Sequence, residues 1–457
     1  MKNDNLLTEG NVFRVLLKFS VPFLIANIIQ ALYGAVDLMV IGWYCAPESV
    51  AAVSTGTQVT QIITSMVSGL TLGSTIMVGK YTGMKDEDRT RRTIGTTLSV
   101  FAVIAILLTI VMLIFKGPIL AALKTPAASL KEANDYVTIC FYGIFFICGY
   151  NAISAVLRGY GDSRRPMYFV ALSCVLNIIG DIMFVKYLGL GVAGTALATV
   201  LSQSISMICS IIYLNRSRFI FTFSFKNLRI DRSLAKELAM VGIPISSQEC
   251  MVRLSFLYLT SVTNRLGVNA AAAVGIASKY DVFAMLPATS IASALAAITA
   301  QNYGAGKPER ARQSLAAGIG FSVLASSLFF LWAQLSPQTM IGLFNTNPDI
   351  ISAGIPFFHS CSFDYLAVSF VFCLNGFMNG RSKTVFTMIS CCFGALALRI
   401  PLIWLAYTYC PDNLFVIGSI APAVSGFMAV YTMGFVLRQI RTDRAAVTGL
   451  RLGDNAV

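Results

Sequence analysis

The chain has 457 residues, 56% of them apolar and only 12% charged, and 34 Lys and Arg outnumber 21 Asp and Glu for a formal charge of +13. Soluble domains carry about 25% charged residues, and no stretch here is long and polar enough to form one, so a soluble enzyme or binding module is excluded. The basic excess does not by itself imply nucleic acid, because its distribution along the chain follows a different rule.

Apolar runs of roughly 20 residues, each long enough to cross a bilayer, recur from end to end. In chain order they predict spans over 14–43, 50–75, 93–115, 133–157, 166–187, 191–214, 238–264, 269–300, 314–336, 351–377, 385–408 and 414–437. The first contains Pro22 and "LYGAVDLMVIGWY" (32–44), apolar except for Asp37. It is too long for the core of a cleavable signal, and no A-x-A-like site closes it, so it is read as a retained span. The second carries "MVSGLTLGSTIMVG", whose small residues indicate close helix packing and not a phosphate loop, since no GK[ST] ending follows. The fifth carries Asn177 and Asp181, and the sixth Thr199. The seventh, eighth, tenth and eleventh carry Glu249 and Arg253, Lys279 and Asp281, His359 and Asp364, and Arg399. The expectation is an all-α membrane protein of twelve transmembrane helices.

Sorting the basic residues by loop places 26 of the 34 on one side, in the N-terminus (Lys2, Arg14, Lys18), five loops and the C-terminal tail. The opposite loops hold five, Lys116, Lys124, Lys131, Lys186 and Arg265, and three lie inside spans. The positive-inside rule then puts both termini in the cytoplasm of a cell-membrane protein. The basic excess reads as a topology signal with membrane lipid as its partner, and no nucleic acid is expected. Eleven Cys without a CxxC pair read as small apolar packing residues.

The chain repeats itself. Pro22 and Pro244 each stand near the start of a span, 222 residues apart. "SVAAVSTGTQ" resembles "NAAAAVGIAS", "KYTGMKDE" matches "NYGAGKPE", and "LRGYGDSRR" resembles "MNGRSKT", all at nearly that offset. This predicts an N-terminal six-helix lobe (1–215), a cytoplasmic linker (216–237) and a C-terminal six-helix lobe with a cytoplasmic tail (238–457). Six spans per half is even, so the two halves should be related by a pseudo-two-fold along the membrane normal.

The proline-containing first span, the "LYGAVD" segment, "QNYGAGKPERAR", and "LRGYGDSRRP" with its "NGRSK" counterpart resemble the multidrug and toxic compound extrusion (MATE) family. That resemblance covers nearly the whole chain. It implies two six-helix bundles around a central cleft, and export of organic, often cationic, compounds driven by Na+ or H+.

The residues themselves add a site. Asp37 and Asp181 are the only carboxylates well inside spans of the N-terminal half, and no Lys or Arg lies well inside a span there. Counting at 1.5 Å per residue puts Asp37, Asp181 and Thr199 at one depth, roughly 9–12 Å below the outer edge. Asn177 is four residues before Asp181 and so shares its helix face. Two buried carboxylates without a basic partner need either a proton on one of them or a cation between them. Carboxylate, amide and hydroxyl oxygens suit a hard ion such as Na+ and suit a transition metal poorly. The family's N-lobe cation site, an Asp in span 1, an Asn and Asp four apart in span 5 and a Thr in span 6, is matched by these same four positions. No cofactor is expected beyond Na+ or H+ as coupling ion.

In the C-terminal half Glu249, Asp281 and Asp364 accompany Arg253, Lys279 and Arg399, three acids with three bases. They read either as internal ion pairs or as the polar lining of a substrate cleft. Glu249 and Arg253 stand in the favoured i,i+4 order. Tyr33, Gln58, Gln61, Asn151 and Gln203 are further cleft candidates, His359 reads as a hydrogen-bonding residue, and Pro22 as a kink on the helix of Asp37.

The leading functional reading is a monomeric secondary antiporter exporting amphipathic, cationic organic compounds by alternating access. A flippase or exporter of lipid-linked sugars is the second, weakened because the few bases inside the spans are balanced by acids. An enzyme is excluded by a single His and the absence of HExxH, GxSxG and P-loop motifs.

Overall fold

The computed structural model describes residues 7–123, 125–217, 219–410 and 413–454, of which Phe225 and the last eleven are described by backbone alone. Lys2, Lys124 and Arg218 of the charge count lie outside the described residues. Every regular element among the described residues is helical. In the first half these are α1 (Val12–Tyr44), α2 (Pro47–Gly83), α3 (Glu87–Ala122), α4 (Leu130–Tyr142), α5 (Ile144–Gly159), α6 (Arg164–Asp181) and α7 (Gly191–Arg216). In the second they are α8 (Arg232–Arg265), α9 (Val268–Gly304), α10 (Pro308–Leu335), α11 (Pro337–Gly342), α12 (Pro348–Cys361), α13 (Phe363–Gly380), α14 (Thr384–Cys392), α15 (Ile400–Tyr409) and α16 (Leu414–Asp454).

Ten of the described helical segments are long and apolar enough to span a membrane, and α4 with α5 make an eleventh, bent by 46° at their junction. Gly143 sits at that bend, where a Cβ would run into Val200 of α7. The twelfth expected span, 238–264, falls in α8, which has 34 residues but is less apolar than the others. Ser246, Ser247, Gln248, Glu249 and Arg253 lower its apolarity, not its length, since 34 residues reach about 51 Å.

The sequence repeat has a concrete meaning at four helix ends. After α2 the N–H of Asp86 bonds to the Tyr81 carbonyl (3.2 Å) and that of Lys85 to Thr82 (3.1 Å). The same pair of bonds recurs after α9 from Lys307 to Asn302 (2.8 Å) and Gly306 to Tyr303 (3.1 Å). It recurs again after α5 (Asp162 to Leu157, Gly161 to Arg158) and after α13 (Lys383 to Met378, Ser382 to Asn379). Each is a Schellman cap, with its left-handed residue at Lys85, Gly306, Gly161 or Ser382.

The chain divides into two compact units, residues 1–250 with 296–311, and 251–295 with 312–457. In the first, the main apolar core gathers Ile41, Val53, Phe101, Tyr136, Phe141 and Ile144 from α1 to α5. The start of α8 packs on α2: Ser246 Oγ donates to the Met66 carbonyl (2.7 Å). Glu237 accepts from Lys80 Nζ and Tyr81 Oη, both at 2.8 Å. The "QNYGAGKPER" segment clasps the N-terminal strand of backbone through Gln301 Oε1 from the Leu7 N–H (3.1 Å), Lys307 Nζ to Thr8 O (3.0 Å) and Arg310 to the Glu9 and Gly10 carbonyls (2.6 Å each). In the second unit Tyr280 anchors a core, its hydroxyl donating to the Met340 carbonyl (2.8 Å) and its ring edge-on to Trp332, Phe344 and Phe358.

Candidate functional site

Three helices of the first unit meet around Asp37. α1 packs on both α6 and α7, and α6 lies along α7. Small residues let the last two approach: a Cβ on Gly180 would stand 2.9 Å from the Ala198 Cβ. Asp181 and Thr199 follow these two residues directly, so this close approach of the two helices lies beside the polar side chains. Immediately after Asp181 the helix widens into a π-helical segment, Ile182–Tyr187, a local expansion common at functional positions.

Asp37, Asn177 and Asp181 are buried, at 3%, 0% and 0% exposure. The Asp37 carboxyl lies beside Asp181, Asn177 and Thr199. Asn177 Nδ2 donates to Thr199 Oγ1 (3.4 Å). Tyr33, one turn before Asp37 on α1, meets Ser202 through a hydroxyl–hydroxyl contact of 3.2 Å, and Ser202 Oγ donates to the Thr199 carbonyl (2.9 Å). Four buried oxygens of the group receive no hydrogen bond: Asp37 Oδ1, Asn177 Oδ1, Asp181 Oδ1 and Asp181 Oδ2. Buried acceptors left without donors cost about 1–3 kcal/mol each, more for charged groups. Hence the donor set is short of positive charge, and its all-oxygen chemistry fits a proton or a hard monovalent cation. Ser202 was not singled out from the sequence. Its signal was there: it stands three residues after Thr199, as Tyr33 stands four before Asp37.

In the second unit the charge of Arg399 acts on both Asp281 and Asp364 without a direct ion pair. Among the described residues no carboxylate lies within 4.0 Å of Arg399. Its guanidinium donates to Ser255 Oγ (3.4 Å) and lies over the Phe256 ring (4.8 Å), while its Nε finds no acceptor. Asp281 instead accepts from Tyr365 Oη (3.0 Å), and Asp364 is buried with Oδ1 unpartnered. Arg399 ends a second π-helical segment, Phe393–Arg399, which rotates the residues after it in a way that α-helical counting does not follow. Arg253 and Lys279 of this unit are exposed, and Glu249, which falls in the first unit, is partly buried.

Of the remaining candidates, Gln58 and Gln61 are exposed on α2, Gln203 is partly buried on α7, and Asn151 donates to the Ile147 carbonyl of its own helix (2.8 Å). His359 packs with Gln334, its Nδ1 3.4 Å from Oε1 and its carbonyl accepting from Nε2 (2.7 Å). Pro22 is buried within α1, which runs unbroken from Val12 to Tyr44.

A tandem repeat of membrane-length helices, with a carboxylate cluster inside one repeat, is an arrangement found among membrane transporters. The MatE family model matches residues 22–183 and again 244–405, so that the second match begins and ends 222 residues after the first. The chain belongs to the MatE family of transporters, and is not an enzyme. It is 29% identical over 354 residues to "Probable multidrug resistance protein YoeA" of Bacillus subtilis, covering 75% of this chain and 76% of that one. It is 25% identical over 358 residues to a protein of Shewanella oneidensis named "FAD transporter", covering 77% and 78%. The fold superposes on a solved structure described as "MATE in the bent conformation" with a TM-score of 0.90 at 22% identity, over 98% and 99% of the two chains.

Proposed function

We propose that this transporter is a secondary antiporter of the cell membrane, with both termini cytoplasmic, that exports amphipathic cationic organic compounds in exchange for Na+ or H+. The coupling ion binds at Asp37, Asn177, Asp181 and Thr199. The observation that carries this reading is the set of four buried, donor-less acceptor oxygens on α1 and α6. Desolvating a carboxylate costs several kcal/mol unless a positive charge compensates, and no Lys or Arg lies among these side chains. A cation arriving from outside cancels one of the pair's two negative charges and attracts the other, which draws α1, α6 and α7 together, whereas its departure leaves two like charges that repel. The occupancy of the site therefore biases the packing of these helices. Exchange requires only that the ion and the substrate favour different members of the two access states. Tyr33 and Ser202 position Thr199 from behind.

The test is efflux of a fluorescent organic cation from proteoliposomes under imposed Na+ or H+ gradients, with Asp37→Asn and Asp181→Asn in parallel. One gradient should drive efflux in the wild type, and each variant should lose at least about tenfold of it, the effect of one ionic interaction of about 1.4 kcal/mol or more. Unimpaired export by both variants would overturn the coupling site. An FAD arm separates site from cargo, since gradient-driven export of FAD without the cation would overturn the substrate class alone.

A further inference from the structure

We propose that α3 and the segment joining the two repeats form a binding site for the phosphate group of an anionic phospholipid. Residues 219–231 lie along the first turns of α3. A Cβ on Gly95 would run into the Asn227 carbonyl, so only glycine admits this backbone. Thr96 Oγ1 donates to the Arg229 carbonyl (3.3 Å) and accepts from the Asp231 N–H (3.1 Å). Asn227 Nδ2 donates to the Thr222 carbonyl (2.8 Å), and Phe221 is buried below, edge-on to Phe223. The pinned backbone and α3 border an open pocket of about 750 Å3, lined by Arg91, Arg92, Lys226, Arg229, Asp231 and Phe221 among others.

The charges around this cavity do not cancel. Arg91 is bridged to Glu87 (3.3 Å), and Arg92 reaches both Asp88 (3.8 Å) and Asp231. Asp231 also caps α8, accepting from the Ser233 and Leu234 N–H groups at 2.9 and 3.4 Å. Among the described residues no carboxylate lies within 4.0 Å of Lys226 or Arg229, and both are exposed. One ammonium and one guanidinium lining the same concavity suit a phosphate, which offers several charged acceptor oxygens.

The lipid source follows from α3 itself. Only 11% of its most apolar stretch is buried, leaving Ile106, Leu107, Ile110 and Ile114 outward. A helix so apolar and so exposed faces acyl chains, so its basic end lies at headgroup level, where such pockets attract anionic lipid. A phosphate held in the cavity can extend its acyl chains along α3, which a free phosphate ester cannot do.

The full chain, purified in detergent and stripped of lipid, is unfolded thermally with dioleoylphosphatidylglycerol, dioleoylphosphatidylcholine or sn-glycerol 3-phosphate added. The phosphatidylglycerol should raise Tm by at least about 3 °C through binding to the folded state. The rise should persist in Lys226→Arg/Arg229→Lys and in the remote control Lys383→Gln, and vanish in Lys226→Gln/Arg229→Gln. Both targets are exposed, so the last variant keeps the wild-type Tm without lipid. An equal rise in Lys226→Gln/Arg229→Gln, or with phosphatidylcholine, would overturn the site. An equal rise with glycerol 3-phosphate would overturn the lipid and leave a soluble phosphate as ligand.

Discussion

Gly180 offers a way to move the proposed cation site without touching any of its polar groups. In Gly180→Ala the new Cβ would stand 2.9 Å from the Ala198 Cβ, whereas carbon atoms settle at about 3.5–4.0 Å. The α6 and α7 backbones must then separate by about 0.6–1.1 Å. The Asn177–Thr199 bond, already 3.4 Å long, passes beyond hydrogen-bonding distance, and Thr199 is drawn away from Asp37 and Asp181. Overpacking of this kind costs about 1–3 kcal/mol, but alanine regains about 1 kcal/mol of helix propensity over glycine. The second partly offsets the first, so thermal stability in detergent should fall by about 2 kcal/mol or less. Gradient-driven efflux should fall much further, because a displacement of about 1 Å in a binding constellation can cost about a hundredfold. Gly180→Ala/Ala198→Gly returns the space and should restore efflux. Wild-type efflux in the single variant, or no recovery in the double variant, would refute the role given to this helix contact.

Ser382 occupies the left-handed position of its Schellman cap with φ 59°, so Ser382→Gly should stabilise the protein by about 0.5–1 kcal/mol, read as a higher Tm with transport unchanged. The Asp231 carboxyl is held below its usual range, first by the Ser233 N–H and then by Leu234 and Arg92. Its folded-state value is depressed, so its stabilisation is present above the unfolded value of about 3.9 and is lost as pH falls below that. The protection factors of the Ser233 and Leu234 amides, exchange rates corrected for their intrinsic pH dependence, should accordingly fall on acidification through that range, and in Asp231→Ala, which removes the cap, they should be low and insensitive to pH there.

The sequence was informative where one residue type has one physical meaning. Long apolar runs gave the helices, and the marks recurring 222 residues apart agree with the doubled family match. Lys85, Gly161, Gly306 and Ser382 turned those marks into helix caps, which a search for repeats alone does not identify. Asp37 and Asp181 stood out because a carboxylate without a nearby base is costly in hydrocarbon, and helical counting then drew in Asn177. Ser202 and Tyr33 were harder to connect, since a hydroxyl satisfies itself in many ways and contributes little signal alone. The second unit was least legible. Composition balances Asp281 and Asp364 against Arg399, and the charge of Arg399 does act on both, but the π-helical segment before it and the stacking on Phe256 hold the guanidinium short of a direct ion pair. Such insertions are set by packing between helices, and no residue in "FGALALR" announces one. Likewise α8 is long enough to span, yet its polar side chains keep it apart from the ten most apolar segments.

The claim that matters most is that the acceptor oxygens of Asp37, Asn177 and Asp181 hold the ion that drives transport. Its most direct test is the cation movement itself, recorded with a Na+- or pH-sensitive dye trapped in proteoliposomes while organic cation is supplied on the substrate side. The account predicts that wild-type protein moves Na+ or H+ against the substrate, and that Asp37→Asn and Asp181→Asn abolish this movement while remaining folded. Substrate-triggered ion movement of wild-type size in either variant would contradict it.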